Sequence, residues 1–378
     1  MSELTYLEKL LDGVKVEWVT LGSMADIGTG SSNRQDESEN GIYPFYVRSK
    51  NILKSDTFEF DEVAIVIPGE GGIGDIFHYV EGKYALHQRA YRIRITTNAV
   101  DTKFLYYFMS SSFKQYILTK SVGATAISIR KPMLEGFKVP IPSPDNPEKS
   151  LAIQSEIVRI LDKFTALTAE LTAELNMRKK QYNYYRDQLL SFKEGEVEWK
   201  TLGEVAVIGT GNHDTQDAIE HGKYIFYARG REPLKLNVFD FDETAIITAG
   251  DGAGVGKVFH YAKGKYALHQ RAYRIVPNAF MNPRFVYHYI TAYFFTYIQK
   301  ASVSSSVTSL RRPMFLKFPI PVPPSEEQAR IVEILDKFDT LTNSITEGLP
   351  REIELRQKQY EYYRDLLFSF PKPETVSN

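Results

Sequence analysis

The chain has 378 residues, with 46 Lys and Arg against 47 Asp and Glu, 43% hydrophobic residues and no cysteine. This length suffices for two domains with buried cores, and the lack of cysteine excludes disulfides, thiolate metal sites and a cysteine nucleophile. There is no run of 18 apolar residues and no signal-peptide pattern, so we expect a cytoplasmic protein that does not span a membrane. A formal charge of −1 argues against a surface that binds polyanions everywhere.

Changes in composition along the chain predict five segments. Short apolar runs rich in Gly and Tyr mark two mixed segments, whereas helical periodicity marks the parts before, between and after them. The predicted boundaries are an N-terminal helix fragment at 1–13, a mixed segment at 14–147, a central helix at 148–194, a mixed segment at 195–324 and a C-terminal helix at 325–378. A Pro-rich stretch precedes each long helix. Since Pro is unfavourable inside helices and central strands, each stretch marks a boundary between a mixed segment and a helix.

The second half of the chain repeats the first. Twelve consecutive residues, from Gly82 to Ile93, recur unchanged from Gly264 to Ile275. In the helical parts, Ile-Leu-Asp-Lys-Phe occurs at 160–164 and 334–338, and Tyr-Tyr-Arg-Asp occurs at 184–187 and 362–365. The chain is therefore a duplication of one unit of roughly 180 residues.

The first long helix is predicted to be continuous and the second to be interrupted. From Glu148 to Phe192 there is no Gly or Pro, and apolar residues recur at spacings of three and four, which predicts a helix about 65 Å long. The second helix is predicted to start after an N-cap at Ser325, with Gln328 three residues further on. Gly348 and Pro350 then predict a break or kink.

The N-terminal fragment resembles the end of the central helix, since Tyr6, Leu10 and Leu11 parallel Tyr185, Leu189 and Leu190. A repeat that starts inside one unit and ends inside the next predicts that the C-terminal helix returns near residue 1, with the units about a pseudo-two-fold axis. Each long helix has an apolar stripe too narrow for a full core, so the two should pack antiparallel as a spacer. The predicted fold is α+β: two similar α/β domains with twisted sheets, joined and separated by two long antiparallel helices in a pseudo-two-fold cyclic arrangement.

Basic residues cluster in stretches without acidic residues. Residues 114–131 and 300–317 combine Lys and Arg with many Ser and Thr, and residues 83–94 add Lys83, Arg89, Arg92 and Arg94. Basic loops rich in Ser and Thr are suited to phosphate contacts, and a neighbouring Gln or Arg can read base edges. The alternative is that these stretches are solvated loops whose recurrence reflects duplication alone.

Glycine-rich stretches at 69–74 and 250–257 each follow an apolar run. Neither matches the phosphate-binding pattern G-x-x-x-x-G-K-[ST], and the Phe-His-Tyr that follows each predicts a second strand instead of a helix. A β-hairpin whose glycines permit positive φ or a close approach to DNA is favoured over nucleotide binding.

Histidines recur at His78 and His87 and at His260 and His269, but without metal-ligand spacing. The pattern around His87 alternates like a single strand from Gly82 to Ile93, which leaves His87 and His269 open to a buried structural role. The paired tyrosines at 184–185 and 362–363 are predicted to be interface residues. No catalytic constellation is apparent, so the sequence predicts a protein that is not an enzyme.

Two Gly- and Tyr-rich segments, each followed by a repeated helix, resemble the specificity subunit of a type IC restriction-modification enzyme along the whole chain. The features that carry the resemblance are the Ile-Leu-Asp-Lys-Phe and Tyr-Tyr-Arg-Asp pairs and a tandem Thr-Ala-Glu-Leu, which comprises Thr168, Ala169, Glu170, Leu171, Thr172, Ala173, Glu174 and Leu175. The resemblance implies that the mixed segments are target recognition domains, each reading half of a bipartite, interrupted DNA site, and that the helices set the spacer between the halves.

The resemblance also implies partners and cofactors outside this chain. Two modification (methyltransferase) subunits would dock on the helices and carry S-adenosylmethionine, and restriction subunits would use ATP and Mg²⁺. No cofactor or metal is expected in this chain itself, and its expected ligand is double-stranded DNA.

Because the recognition domains nearly match, we expect their half-sites to be the same or closely related. Arg and Gln residues are expected to read bases, and the basic pairs near 130 and 311 to contact phosphates. The predicted DNA-binding residues are Asn33, Arg34, Arg48, Lys50, Gln88, Arg89, Arg130, Lys131, Asn212, His213, Arg229, Arg231, Gln270, Arg271, Arg311 and Arg312. Two other functions stay open from the sequence: a scaffold with little DNA contact of its own, and an enzyme that uses the glycine-rich hairpins.

Overall fold

A computed structural model of the chain describes residues 6–120, 128–193, 195–301 and 309–372. These residues form two compact units, one comprising 1–171 with 353–378 and the other comprising 172–352. The C-terminal residues thus belong to the same unit as the N-terminus, as the cyclic repeat predicts. The predicted segment boundaries follow changes of secondary structure. The division into two compact units follows compactness instead, and it falls inside both long helical segments.

The first repeat contains a six-stranded sheet, a two-stranded sheet and helices. Its helices are α1 (Tyr6–Leu11), α2 (Thr102–Lys120), α3 (Lys131–Glu135) and α4 (Pro147–Leu189). Its strands are β1 (Val16–Thr20), β2 (Ala25–Thr29), β3 (Tyr43–Tyr46), β4 (Leu53–Ser55), β5 (Phe60–Pro68), β6 (His78–Leu86), β7 (Ala90–Ile95) and β8 (Lys138–Pro142). The large sheet has the order β2-β7-β5-β6-β3-β4, and β1 pairs with β8. All neighbours are antiparallel except β3 and β6, which are parallel.

The second repeat has the same eight strands in the same order. Its strands are β9 (Glu198–Thr201), β10 (Ala206–Thr210), β11 (Tyr224–Tyr227), β12 (Leu234–Leu236), β13 (Phe241–Ala249), β14 (Phe259–Leu268), β15 (Ala272–Pro277) and β16 (Pro319–Val322). Its helices are α5 (Leu202–Val205), α6 (Pro283–Ala301), α7 (Arg312–Leu316), α8 (Ser325–Asn343) and α9 (Gly348–Leu367). The sheet order β10-β15-β13-β14-β11-β12 matches that of the first repeat. Two similar sheet domains with long helices are therefore present, as predicted.

The central strand of each sheet is strongly curved. In the first repeat, Glu59 N donates to Tyr84 O at 3.0 Å, and Gly69 N donates to Arg89 O at 2.9 Å. An extended run from 59 to 69 would span about 33 Å, whereas the five residues from 84 to 89 reach about 18 Å at most. Both ends of β5 therefore approach the single turn between β6 and β7, and the sheet bends around an inner cluster of apolar side chains.

Alternate residues of β5 face two different cores. Ile65 and Ile67 are buried in the larger core, which α2, α4 and the C-terminal Phe370 complete. Val66 lies in the smaller inner core with Tyr84 and other residues of the bend. This period of two is expected for a strand with both faces covered.

The structure corrects the prediction of one strand from Gly82 to Ile93. β6 ends at Leu86 and β7 begins at Ala90, with a turn closed by Ala90 N donating to His87 O at 2.9 Å. The two strands lie on opposite sides of β5 and do not pair with each other. The sequence alternates through the turn because both flanking strands bury alternate side chains.

The structure confirms that the first long helix is continuous and that the second is interrupted. The helix α4 is continuous over 43 residues, and the C-terminal helical segment is divided into α8 and α9 between Asn343 and Gly348. The predicted N-cap at Ser325 is wrong, because Ser325 is the first helical residue and Pro324 occupies the cap.

Gln328 does not take part in a capping box. Its side chain is buried, donates to Pro323 O at 2.8 Å and accepts from Asn282 N at 2.7 Å. It therefore ties α8 to the start of α6.

The repeated aromatic residues of the helices contact each other within each unit. In the first unit Phe164 stacks on Tyr363, with ring centroids 5.4 Å apart. In the second unit Tyr185 stacks on Phe338 at 5.7 Å. Each pair joins the Phe of an Ile-Leu-Asp-Lys-Phe motif to the second Tyr of the Tyr-Tyr-Arg-Asp motif from the other repeat, so these two tyrosines are helix-interface residues.

Candidate nucleic-acid interface

The turn between β6 and β7 presents two of the predicted site residues. His87 Nδ1 accepts from Arg89 N at 3.0 Å, and Gln88 N donates to Ser32 O at 2.9 Å. Burial lowers the pKa of His87, which favours the neutral ring that this acceptor role requires. Contacts with His87 and Ser32 therefore fix the backbone of the turn, while the side chains of Gln88 and Arg89 are exposed.

The equivalent turn of the second repeat has the same construction. His269 Nδ1 accepts from Arg271 N at 2.9 Å, and the ring of His269 stacks on Phe226. The ring is 1% exposed, and burial lowers its pKa as well. The sequence left open whether His87 and His269 ligate a metal or are buried structural residues. Both have the buried, hydrogen-bonded positions of structural residues. In the described parts of the chain, no group of three or more potential metal ligands occurs.

An acidic side chain joins Arg89 to a second predicted site residue. Glu70, in the glycine-rich loop after β5, accepts from Arg48 Nη1 at 2.6 Å and from Arg89 Nη1 at 2.8 Å. We call these three side chains clamp 1. Arg48 follows β3, so the clamp unites three loops that are distant in sequence. Hydrogen bonds from Arg89 and then the charges of Arg89 and Arg48 lower the pKa of Glu70.

The second repeat contains the matching clamp 2. Asp251 Oδ1 accepts from Arg229 Nη1 at 2.8 Å, and Asp251 Oδ2 accepts from Arg271 Nη1 at 3.2 Å. Burial acts to raise the pKa of Asp251, but the hydrogen bonds and charges of the two arginines outweigh it and lower the pKa. Both carboxylates are therefore ionised at neutral pH, and each clamp has a net charge of +1.

A fourth loop reaches the same place. Ile129 N donates to Gly69 O at 2.8 Å, and Leu310 N donates to Gly250 O at 2.7 Å. These bonds bring the basic residues at 130–131 and 311–312 near the clamps, and all four side chains are exposed. Lys131 also lies 3.9 Å from Glu135. The Ser- and Thr-rich parts of the predicted phosphate loops, 121–127 and 302–308, lie outside the described residues.

The remaining predicted residues lie on nearby loops. Gln88 Nε2 hydrogen-bonds Asn33 Oδ1, and Gln270 Nε2 donates to Asp214 Oδ2 at 3.0 Å. His213 is paired with Asp240 at 3.0 Å, so its ring edge is occupied by the protein. Exposed positions are also found for Arg34, Lys50, Asn212 and Arg231.

Arg92, counted in the basic stretch at 83–94, is not available to a ligand. Its side chain is 13% exposed and pairs with Asp26 at 2.7 Å and Glu62 at 3.1 Å. Tyr84 also donates to Glu62, at 2.8 Å. These contacts occupy Arg92 within the protein, so residue type alone overestimated the free basic surface.

Sequence reasoning missed Glu70 and Asp251. Their signal was present: an acidic residue follows the first glycine of the glycine-rich loop in both repeats. In the two hairpins, Gly71, Gly72, Gly74, Gly252 and Gly256 have positive φ, which supports the hairpin interpretation. A Cβ at Gly250 would lie 2.6 Å from Arg271 O, so the loop can approach the turn only without a side chain there.

Comparison with known proteins places this architecture in a family. A model described as "Type I restriction modification DNA specificity domain" matches residues 13–178 and 194–355. The chain is 42% identical to the EcoR124I/EcoR124II specificity subunit of Escherichia coli, with 100% of both chains covered. It is 36% identical to the EcoprrI specificity subunit of Escherichia coli, covering 92% of this chain and 93% of that one.

A solved structure has the same fold. The type I restriction-modification S subunit from M. genitalium superposes with a TM-score of 0.68 at 18% identity, covering 98% of this chain and 100% of that chain. The two matched segments correspond to the two repeats of the fold. The chain belongs to the DNA specificity subunits of type I restriction-modification systems. Within its described residues, no helix has the length and apolar character of a membrane span.

Proposed function

We propose that segments 14–147 and 195–324 are target recognition domains that each read one half of an interrupted DNA site. The recurrence of the clamp on matching loops of both repeats carries the proposal. Exposed Arg and Gln side chains on such loops can pair with base edges in the major groove. Binding of the assembled complex to duplexes that carry both halves, one half or neither tests it. Equal affinity for all three would contradict it.

The two halves of the site are proposed to be closely related. The reading turn is His-Gln-Arg in both domains, and Arg48 and Arg229 occupy the same clamp position. Methylome sequencing of cells that express the complete system should show two similar half-sites separated by unspecified bases. Two unrelated halves would contradict this relation, while two-part recognition itself would survive.

Base-reading and phosphate roles are proposed to be separate. The clamp arginines and the turn glutamines read bases, and Arg130, Lys131, Arg311 and Arg312 contact phosphates. Arg48→Ala should then relax specificity at one base. Lys131→Ala should weaken binding to all sequences alike and reduce the salt slope. Equal loss on cognate and random DNA for Arg48→Ala would contradict its base-reading role.

The tandem Thr-Ala-Glu-Leu is proposed to set the spacer. The boundary between the compact units falls between Leu171 and Thr172, that is, between the two copies, and α4 is continuous through both. Deleting residues 172–175 removes about 6 Å of helix and should shorten the preferred spacer by one or two base pairs. Replacing these four residues with other helix-forming residues keeps the length and should keep the spacer.

The helical segments 1–13, 148–194 and 325–378 are proposed to dock two modification subunits, and restriction subunits join that assembly. In this proposal, which includes the type IC assignment, S-adenosylmethionine belongs to the modification subunits and ATP with Mg²⁺ to the restriction subunits. The complex acts in the cytoplasm, where its DNA is found. Calorimetry with S-adenosylmethionine should detect binding to the assembled methyltransferase and not to this chain alone. Binding by the isolated chain would contradict the assignment.

A further inference from the structure

Glu70 and Asp251 are unexpected on a surface that meets DNA. A carboxylate repels phosphates, so a surface selected for affinity alone would avoid it. The side chains of Glu70 and Asp251 are 37% and 24% exposed, and each lies between two arginines at the domain surface. Their presence therefore calls for a role other than affinity.

The contact geometry suggests such a role. In both clamps the carboxylate engages Nη1 of each arginine, and among the described residues the Nε and Nη2 atoms of these arginines have no hydrogen-bond partner. A guanidinium donates along more than one edge. One edge is thus held by the protein while another remains for a ligand.

Holding an arginine in this way changes what it can recognise. A free arginine side chain samples many rotamers and meets a phosphate in most of them, whereas reading a base requires one orientation. Ordering the side chain before binding removes that entropic cost from the association step. A carboxylate shared by two arginines also fixes their mutual position, which suits a base sequence of fixed spacing.

The recurrence of the clamp is more than an unchanged copy. The first repeat has Glu70 and the second has Asp251. The Asp side chain is shorter by one methylene group. Both arginine contacts persist: the two arginines share Oε1 of Glu70, whereas each binds a separate oxygen of Asp251. The arrangement of two arginines about one carboxylate is kept while the side chain differs.

We propose that Glu70 and Asp251 are positioning residues for sequence specificity, which orient Arg48 with Arg89 and Arg229 with Arg271 toward acceptor-bearing base edges, above all guanine O6 and N7. This inference rests on the proposed DNA-reading function. It assigns the carboxylates a role in discrimination between sequences and not in the overall affinity for DNA. Glu70 and Asp251 themselves need not touch DNA.

Glu70→Gln and Asp251→Asn test the proposal in the assembled methyltransferase complex. Each removes one negative charge at nearly constant size. Affinity for the cognate duplex should fall while affinity for a random duplex stays the same or rises, so that their ratio falls by about tenfold. The salt slope on random DNA should stay the same or steepen, because existing phosphate contacts remain and a freed arginine can add one. Glu70→Asp, which copies clamp 2, should keep most of the ratio.

Matched controls come from β5 and β13, the strands that precede the two glycine-rich loops. Asp61→Asn and Asp242→Asn remove an exposed charge from β5 and β13, outside the clamps, and should leave the ratio unchanged. An unchanged ratio for Glu70→Gln, or an equal loss on cognate and random DNA with a lowered Tm, would overturn the positioning role. If the unmodified complex itself shows no preference for the cognate duplex, the proposed function fails. If that preference exists and survives Glu70→Gln and Asp251→Asn, only the positioning role fails.

Discussion

The two recognition domains share a part-buried network around one Glu and differ in the charges next to it. In both domains a Tyr and an Arg converge on one Glu: Tyr84 and Arg92 on Glu62, and Tyr266 and Arg274 on Glu243. On the neighbouring strands, the cross-strand pair Asp26–Arg94 of the first domain is replaced by Val207–Val276 in the second. Divergence after duplication therefore kept the part-buried contacts of Tyr and Arg with Glu, whose loss is costly. It replaced a more exposed pair, although Asp26 of that pair also bonds Arg92.

A second difference lies where each domain meets its helices. In the first domain Asp162 binds Lys103 at 2.8 Å and Tyr107 at 2.6 Å. In the second, Asp336 binds Arg284 at 2.6 Å and His288 at 2.7 Å. The acidic residue of the Ile-Leu-Asp-Lys-Phe motif is thus the fixed element, and each domain supplies different donors to it.

The largest expected effect tests whether the two cores are equivalent. Phe104 and Phe285 are both fully buried at the same position of α2 and α6. Phe104→Ala and Phe285→Ala should each lower the free energy of unfolding of their unit by about 3–5 kcal/mol. Urea unfolding measures this. A loss under 1 kcal/mol in one domain alone would show that the cores are not equivalent.

The next effect should separate the two buried networks. Glu243→Gln weakens the pairing of Arg274, which has no other acidic partner among the described residues, and should cost about 2 kcal/mol. Glu62→Gln should cost about 1 kcal/mol, because Arg92 keeps its bond to Asp26, although the longer 3.5 Å pair of Glu62 with the exposed Arg94 is also weakened. Chemical denaturation of both variants gives the comparison. Equal losses would mean that Asp26 does not support Arg92.

A smaller effect concerns pH. Burial acts to raise the pKa of Asp336, but hydrogen bonds from His288 and Arg284 outweigh it, and the pKa lies below its usual value. A lowered pKa in the folded state contributes stability above the unfolded pKa of about 3.9, and this stability is lost as pH falls through the folded pKa. Between pH 5 and pH 3, Tm should therefore fall less steeply in Asp336→Asn than in the unmodified chain. Asp242→Asn, on an exposed strand position, is the control and should not flatten the slope.

The smallest effect tests the exposed cross-strand pair. The double substitution Val207→Asp with Val276→Arg transfers the pair Asp26–Arg94 to the second domain. Val207 is 55% exposed, whereas Val276 packs partly against the inner core of the second domain. An exposed ion pair contributes little and some packing is lost, so stability should fall by no more than about 1 kcal/mol. A much larger loss in thermal unfolding would contradict the small weight given to this pair.

Features set by local pattern were predictable. The continuous α4, the interruption between Asn343 and Gly348, and the hairpin at residues 69–74 all agree with the structure. Helical periodicity, glycine and proline act through neighbouring residues, so the order of amino acids suffices to locate them. The N-cap at Ser325 failed because the helix begins one residue earlier, directly after Pro324. The capping box is absent because a tertiary contact with Asn282 N takes the side chain of Gln328.

The candidate site was predicted in its residues but not in its arrangement. Arg48 and Arg89 were expected to contact DNA, yet the carboxylate that joins them was missed, and Arg92 of the same basic stretch is taken up by Glu62. Free and paired arginines are identical in a sequence. Arg92 is paired because its strand lies between β2 and β5, which carry Asp26 and Glu62, whereas Arg89 lies in an exposed turn. This strand order is a property of the whole sheet.

By itself, the sequence determined that the chain is a cyclic duplication with two mixed domains and two helical segments, because repeats and periodicity are properties of residue order. Tertiary structure alone decided which charges pair. It brings Arg48, Glu70 and Arg89 together because β3 pairs with β6, and β5 with β7, next to the turn that carries Arg89. The physical reason is range: periodicity acts over a few residues, whereas the clamps require contacts between loops 19–22 residues apart whose distance is set by the sheet between them.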